Sequence, residues 1–271
     1  MSTKSNYFWK IPITYRSVND KDRVFTEWLD ESEKSLFLKT DSDLIKLNVD
    51  QTGLFIVNYP IDDWKRWSEK LNDEKSEVRR QLSALDRSEL INDAFYLARS
   101  GRLDYELALN LSQYLRYEDS LIPWTTAQTM FSYVKNLIQS DAQIAMNYYI
   151  QDIVGQQYRT LGWDDSAADD AQTRRLRTVI VDTACGYQMD DCLSNATKLF
   201  ADWKAGQPIA PNLLSLVLRY GIRYSNHSDD FYYLLDRYKT SNSAQEKQLF
   251  LQGLTSTTNE GIIERFDHFF E

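Results

Sequence analysis

Hydrophobic and polar positions change their period near residue 60. Before that point, short segments rich in β-branched and aromatic residues alternate with turn-forming Asn, Asp, Ser and Gly, a pattern typical of short strands. Five closely spaced strands predict a small antiparallel β-sandwich domain over residues 1–60, with Gly53 in the turn between the last two strands. The five predicted strands cover residues 11–15, 24–29, 35–38, 44–49 and 54–59.

From residue 61 onward, apolar residues recur at the helical spacing of i, i+3, i+4 and i+7. Trp64, Trp67 and Leu71 share one face of the first such helix, for which Asp62 is the predicted N-cap. Residues 61–271 therefore predict a helical (α-α superhelical) domain. The helical pattern still runs at the last residues, so we expect this domain to be truncated at its C-terminus.

The boundaries of the second predicted helix rest on capping chemistry. Asp86 followed by Glu89 resembles a capping box, and Gly101 is placed where a left-handed residue ends a helix. Helices of this length with short connections favour antiparallel neighbours. The predicted fold class is mainly α, with a small N-terminal β-sandwich followed by an α-solenoid-like array of antiparallel helix pairs.

Composition narrows the classes of function. Hydrophobic residues make up 42% of the 271 residues, which is ample for a core and argues against disorder. The net charge of −9 disfavours nucleic acid as a partner, because phosphate binding needs clustered Lys and Arg. Neither a bilayer-length apolar run nor a signal-like apolar segment at the start is present, so this segment predicts no membrane contact and no signal peptide.

Candidate catalytic and metal-binding residues are sparse. The two histidines, His227 and His268, are far apart and belong to no H-E-x-x-H helix. No nucleophile elbow and no phosphate-cradling glycine loop occurs. The sequence therefore predicts no catalytic residue, no metal ligand set and no cofactor in this chain. The acidic pairs at 164–165, 169–170 and 190–191 are interpreted as helix-start residues favoured by the helix dipole.

Two cysteines and three glycosylation sequons are the remaining chemical features. Cys185 and Cys192 lie on either side of a predicted turn, where they form either a disulfide or two buried thiols. Asn110, Asn195 and Asn226 each begin an N-x-S/T triplet. Asn226 lies in a predicted loop and is the best candidate for modification, whereas Asn110 lies within a predicted helix.

Four stretches, in chain order, resemble one family. Residues 9–14 (WKIPIT) and 46–59 (KLNVDQTGLFIVNY) resemble the entry and the last strands of the β-sandwich domain of zinc aminopeptidases related to aminopeptidase N and the endoplasmic-reticulum aminopeptidases. Residues 86–95 (DRSELINDAF) resemble the helix R-x-x-L-I-N-D-A-F that begins the family's C-terminal helical domain. Residues 114–124 resemble its Y-L-x-x-E…P-W stretch. The chain departs from the family at 55–56 and at 211–214, where a frequent Arg is absent and its role cannot be transferred.

The resemblance implies a non-catalytic C-terminal part of a zinc aminopeptidase, which encloses the active site and helps to hold or select peptide substrates. In the family the zinc-binding helix, the substrate loop and the catalytic tyrosine lie upstream of the sandwich, so zinc is implied only for the parent enzyme. The implied partners are peptides and that missing catalytic domain. The implied location of the parent is the secretory lumen or the extracellular space. A Cys185–Cys192 disulfide, common in such members, is implied too.

Two other hypotheses remain at this point. The chain could be a stand-alone, catalytically dead aminopeptidase-like module that binds peptides or proteins. It could also be a structural α-solenoid unrelated to peptidases, which the ordered run of motifs disfavours. What precedes residue 1 and follows residue 271 discriminates the first hypothesis from the second, because an upstream H-E-x-x-H domain would identify a parent enzyme.

Overall fold

A computed structural model of the protein describes residues 10–20, 22–30, 35–40, 42, 44–139, 141–225 and 227–267. These residues are mainly helical, with a small antiparallel sheet near the N-terminus, which confirms the mainly α class. They divide into two compact units between Val134 and Lys135. The domain boundary after residue 60 stays a prediction.

Three strands form the sheet of the first unit, in the order β2-β1-β3. Both pairings are antiparallel, and Tyr15 lies opposite Phe25 on one side and Leu47 on the other. Its buried ring stacks on that of Phe25 with centroids 5.2 Å apart, the type of cross-strand pair that stabilises a sheet. The strands are β1 (Lys10–Ser17), β2 (Phe25–Asp30) and β3 (Ile45–Leu47).

Two of the five predicted strands do not form, so the predicted five-stranded sandwich is replaced by a three-stranded sheet among the described residues. Residues 35–38 pair with no strand, and Phe37 is 93% exposed. Residues 54–59 run as irregular chain along a helix, since the Val57 N–H donates to Asp93 Oδ2 at 2.8 Å. The alternating apolar pattern of residues 54–59 thus indicates that one side of the segment is buried. It does not show that the segment pairs with a neighbouring strand.

The turn after β3 also differs from the prediction for Gly53. Asn48, Asp50 and Gln51 adopt left-handed φ angles of 55°, 55° and 53°, whereas Gly53 does not take a left-handed angle. The Asn48 side chain closes the turn, because its Nδ2 donates to the Gly53 carbonyl at 3.0 Å and its Oδ1 accepts from the Gly53 N–H at 2.7 Å. Asn tolerates this conformation better than most residues.

Four helices and the start of a fifth complete the first unit. Trp64, Trp67 and Leu71 are fully or almost fully buried, which confirms the predicted apolar face. The first helix begins one residue before the predicted cap, with Pro60 in the N-cap position. The helices are α1 (Ile61–Asn72), α2 (Glu77–Gln81), α3 (Ala84–Arg99), α4 (Tyr105–Ser112) and α5 (Leu121–Leu137), with a 3-10 helix at Gln113–Tyr117.

The predicted capping box of α3 is wrong, because Ser83 is the N-cap and its hydroxyl accepts from the Asp86 N–H at 3.1 Å. The carboxylates of Asp86 and Glu89 are thereby free to face the strands. Gly101, with φ of 70°, ends the helix as predicted.

Among the described residues, seven further helices follow Lys135. In this unit α6 packs against α7, α8 against α9, and both α9 and α10 against α11. The approach of α9 to α8 requires a glycine, because a Cβ at Gly221 would lie 2.5 Å from the Cβ of Phe200. The helices are α6 (Asp141–Leu161), α7 (Ala171–Gly186), α8 (Asp190–Lys204), α9 (Leu214–Arg223), α10 (Ser228–Thr240), α11 (Ala244–Leu254) and α12 (Glu260–Asp267).

Within the part of the chain that the structure describes, no helix is both long and apolar enough to cross a membrane.

Candidate functional site

The residues that could ligate a metal do not come together. His227 is exposed in the N-cap position of α10, and His268 lies outside the described residues. The described residues contain no group of three or more His, Cys, Asp or Glu side chains arranged to hold a metal ion. The zinc that the resemblance implies for the parent enzyme therefore has no fitting ligand set in this part of the chain.

Two of the three acidic pairs start helices, as predicted. Asp170 caps α7 by accepting from the Thr173 N–H at 2.7 Å, and this bond holds the pKa of Asp170 below its usual range. Residues 190–191 lie in the first turn of α8. The pair at 164–165 was wrongly interpreted. Asp165 is an ion-pair partner of the buried Arg177, with 2.7 Å between Oδ1 and Nη1. Neither role is catalytic.

Cys185 and Cys192 form a disulfide that joins the last turn of α7 to the first turn of α8. Both residues are fully buried. The chain between them turns through Gln188, whose φ of 61° is left-handed. The disulfide therefore closes a short, sharply turned loop between the two helices.

Side chains from two other helices of the second unit hold the same loop. Lys135 Nζ donates to the Gly186 carbonyl at 2.5 Å and lies 4.8 Å from the centroid of the Tyr187 ring. Burial lowers the pKa of Lys135, and the nearby Arg223 guanidinium lowers it further. Gln151 Nε2 donates to the Tyr187 carbonyl at 2.7 Å. The loop is thus fixed both covalently and by hydrogen bonds.

We expect the double change Cys185→Ala and Cys192→Ala to lower the free energy of unfolding by about 2.5 kcal/mol, because opening so short a loop restores chain entropy to the unfolded state. Urea denaturation of the purified chain, with and without the change, measures the difference. Wild-type protein unfolded in the presence of a reductant should give the same decrease. A loss below about 0.5 kcal/mol would contradict a stabilising role.

The three sequons lie in different surroundings. Asn110 is within α4, where its backbone carbonyl accepts from Asn72 Nδ2 at 2.9 Å and its side-chain Oδ1 accepts from Gln113 Nε2 at 3.3 Å. Asn195 is half-buried in α8, and its Nδ2 donates to Asp191 Oδ2 at 3.3 Å and to the Tyr158 hydroxyl at 3.4 Å. Asn226 lies outside the described residues. Glycosylation at these positions stays a prediction, and the engaged amides of the helical sequons favour Asn226 as the modified residue.

A buried ionic cluster fastens the sheet to α3. Arg16 on β1 donates through Nη2 to Asp86 Oδ2 at 2.5 Å, and Asp86 Oδ1 accepts from the Asp50 N–H at 2.8 Å. Lys46 on β3 donates to Glu89 Oε2, and its Nζ lies 3.7 Å from Asp86 Oδ1. The side chains of Lys46, Asp86 and Glu89 are at most 1% exposed. Buried charges of this kind are tolerated only when paired and hydrogen-bonded.

The rest of the cluster holds the turn and the segment that follows it. Glu89 Oε1 accepts from Asn48 Nδ2, and Asp93 Oδ2 accepts from the Val57 N–H. Burial raises the pKa of Glu89 to about 7, an effect that the Lys46 ammonium partly opposes. Burial likewise raises the pKa of Asp93. We name Arg16, Lys46, Asp86, Glu89 and Asp93 together the junction cluster.

A second buried ion pair explains the spacing of the helical motifs. Arg87 forms a bidentate pair with Glu118, at 2.6 Å from Nε to Oε2 and 2.8 Å from Nη2 to Oε1. Arg87 also donates to the Leu82 carbonyl at 2.6 Å. Trp124, fully buried, donates from Nε1 to the Glu118 carbonyl at 2.8 Å. Arg87 of the stretch 86–95 thus contacts Glu118 and, through it, Trp124 of the stretch 114–124. This contact joins α3 to α5.

The second unit has two surface clefts with mixed aromatic and charged linings. The larger has a volume of about 430 Å³ and the smaller about 270 Å³. The larger is lined by residues that include Tyr158, Trp163, Asp164, Asp191, Asn195 and Lys198. The smaller is lined by residues that include Trp203, Lys204, Pro208, Ile209, Tyr233 and Arg237. In the smaller cleft the Trp203 and Tyr233 rings meet edge to face at 5.8 Å.

The family model described as "ERAP1-like C-terminal domain" matches residues 44–270. The chain belongs to this family. It is 33% identical to human (Homo sapiens) glutamyl aminopeptidase over 268 residues, and 32% identical to the pig (Sus scrofa) glutamyl aminopeptidase over 267 residues. It is 29% identical to an aminopeptidase N of Plutella xylostella over 266 residues. These alignments cover 96%, 96% and 94% of the chain.

The chain spans only 27–28% of the length of these aminopeptidases, so the match concerns their C-terminal domain and not their whole activity. The match confirms the resemblance drawn from the four sequence stretches. The chain therefore corresponds to the C-terminal domain of such aminopeptidases.

Sequence reasoning missed the junction cluster. Asp86 and Glu89 were assigned to helix capping, and Arg16 and Lys46 were given no role. A signal was present, because Lys46 and Asn48 interrupt the apolar residues of the strand predicted over residues 44–49. A charged residue in such a strand predicts either an exposed face or a buried partner, and only the structure shows that the partner lies on α3.

Proposed function

We propose that the chain serves as the C-terminal part of a zinc aminopeptidase, where it packs against the catalytic domain, encloses the active site and helps to hold or select peptide substrates. The family match over residues 44–270 carries this proposal. Zinc and the catalytic residues belong to a part of the longer protein that precedes the matched region in such enzymes.

Exposed apolar side chains in the strand region support contact with a catalytic domain. Trp28 is 58% exposed and Phe37 is 93% exposed, and the edge strand β2 has no further strand on its outer side among the described residues. Exposed large apolar side chains and an unpaired strand edge are surfaces that a partner commonly covers. A sandwich completed by strands from the longer protein would cover them. In the same proposal, the helices from residue 61 onward are a solenoid-like array of antiparallel pairs, and the clefts of the second unit offer aromatic and charged contacts for peptides.

The test is a hybrid enzyme in which the 268 aligned residues of human glutamyl aminopeptidase are replaced by this chain. We expect the hybrid to hydrolyse a single-residue chromogenic substrate and to differ from the human enzyme in KM for longer peptides. A version truncated before the aligned region should lose activity. The isolated chain should show neither turnover nor stoichiometric zinc by metal analysis.

A matched pair of changes tests the strand surface. Trp28→Asp in the hybrid should weaken docking of the exchanged part by about 2 kcal/mol, or about thirtyfold, whereas Tyr148→Asp, also at an exposed aromatic residue, should have little effect. Turnover by the isolated chain with bound zinc would contradict the proposal. A folded but inactive hybrid, together with peptide binding by the isolated chain, would favour the stand-alone module instead.

A further inference from the structure

The junction cluster contains more buried negative than positive groups. Asp86 is paired with Arg16, and Glu89 is paired with Lys46. Asp93 forms no ion pair with any basic side chain of the described residues, and its carboxylate is satisfied only by the Val57 N–H and by Asn92 Nδ2 at 3.0 Å. Three carboxylates therefore face two cations in a site that water scarcely reaches.

The elements around the cluster supply no further cation among the described residues. β1 contributes Arg16, β3 contributes Lys46, and α3 contributes the three carboxylates. The turn after β3 contributes Asp50, whose carboxylate is exposed and accepts from the Ser83 hydroxyl at 2.5 Å. The segment before α1 contributes Tyr59, a neutral group whose hydroxyl accepts from the Leu47 N–H at 3.0 Å.

A buried carboxylate without a cation favours its neutral form, because desolvation penalises the charge. Glu89 and Asp93 lie one turn apart on α3, and the charge of the Asp93 carboxylate adds to burial in raising the pKa of Glu89, an effect that one proton removes. The proton therefore belongs to the pair rather than to one residue.

We propose that the junction between the strands and α3 is a pH-sensitive fastening that takes up one proton, shared by Glu89 and Asp93, as the pH falls through neutrality. Loss of this proton leaves a third buried carboxylate charge without a cation, so the fold that joins α3 to the turn at Asn48 and to the segment at Val57 is less stable above neutral pH. This inference stands independently of the proposed aminopeptidase function, since it concerns only contacts within the first unit.

The direction of the pH effect follows from the folded-state affinity for the proton. The pKa of Glu89 is raised from 4.5 to about 7, so the folded state binds the proton more strongly than the unfolded state between these values. The stability of the fold therefore increases as the pH falls from about 8 toward about 5, and it decreases as the pH rises through about 7. One proton with this affinity raises the folding equilibrium constant about tenfold between pH 8 and pH 6.

Urea unfolding of the full chain from pH 8.5 to pH 5.5 is the test, in a His227→Gln, His268→Gln background that removes histidine titration. We expect the folding equilibrium constant to rise about tenfold between pH 8 and pH 6, and about thirtyfold over the whole range. At pH 8, the Asp93→Asn variant should already have the stability that the wild-type chain reaches only at lower pH. Its folding equilibrium constant should no longer change across this pH range. Glu69→Gln, at an exposed acid of α1, is the control and should keep it.

Carboxyl carbon NMR titration of the wild-type chain supplies a second measurement that does not depend on a variant folding. Glu89 or Asp93 should titrate near neutral pH, whereas the exposed acids should titrate near their usual values. A folding equilibrium constant that does not change between pH 8 and pH 6 would overturn the proposal. A full pH dependence retained by both Asp93→Asn and Glu89→Gln would overturn it as well, since the proton would then bind elsewhere.

Discussion

Replacement of Arg87 by methionine is expected to lower the free energy of unfolding by about 3–5 kcal/mol, because it leaves the buried Glu118 carboxylate without its cation. Glu118 is 1% exposed and receives two hydrogen bonds from Arg87. The change also removes the hydrogen bond from Arg87 to the Leu82 carbonyl at the end of α2, so α3 loses one contact on each side. Urea denaturation at neutral pH measures the loss.

Two further variants separate the charge effect from a general effect of losing an arginine. Arg80→Met removes an arginine whose pair with Glu77 is largely exposed, and we expect a change of at most about 1 kcal/mol. The double change Arg87→Met, Glu118→Leu should recover part of the stability, since no unpaired charge remains buried. Equal losses for Arg87→Met and Arg80→Met would contradict this account of the pair.

Replacement of Lys46 by methionine is expected to cost about 3–5 kcal/mol at pH 8, but to cost much less at pH 5. Without Lys46, both Glu89 and Asp93 lack a cation, and burial raises their pKa values in the folded state above those of the unfolded state. The variant therefore loses stability at a pH above the folded-state pKa values of these carboxylates. It regains that stability as the pH falls toward their pKa values in the unfolded state. Unfolding measured at both pH values tests the difference.

The contrast with Arg87 makes the Lys46 prediction specific. The stability lost with Arg87 should be regained less on mild acidification, because Glu118 Oε1 still accepts from the Ser120 N–H at 3.0 Å, a bond that favours the charged carboxylate. Lys70→Met, at an exposed lysine of α1, should change stability little at either pH. If Lys46→Met loses as much at pH 5 as at pH 8, the carboxylates of the junction cluster do not share a proton.

Local patterns determined most of the helical part of the fold. The stripe of Trp64, Trp67 and Leu71 and the end of α3 at Gly101 could be predicted because helical hydrogen bonds and side-chain contacts connect residues three or four positions apart. The family, too, was accessible from the sequence, because its motifs recur in order along the chain.

The strands and the start of α3 could not be predicted equally well. Residues 54–59 alternate like a strand, yet their backbone is held by a helix side chain, and the pattern alone does not identify the partner. Ser83 and Asp86 both suit an N-cap, and the choice between them depends on whether Asp86 is needed elsewhere. Residues close in sequence do not discriminate between such alternatives. Contacts with residues distant in sequence do.

The sequence by itself determined the mainly helical class, the absence of a recognisable catalytic motif and the membership suggested by the four stretches. The tertiary structure alone decided which charges are paired. Arg16 meets Asp86 across 70 positions, Lys46 meets Glu89 across 43, and Arg87 meets Glu118 across 31. The physical reason is that a buried charge is stable only beside an opposite charge or a hydrogen-bond partner. The fold brings these partners together from segments that are far apart in the sequence, and the local pattern of one segment does not predict the other.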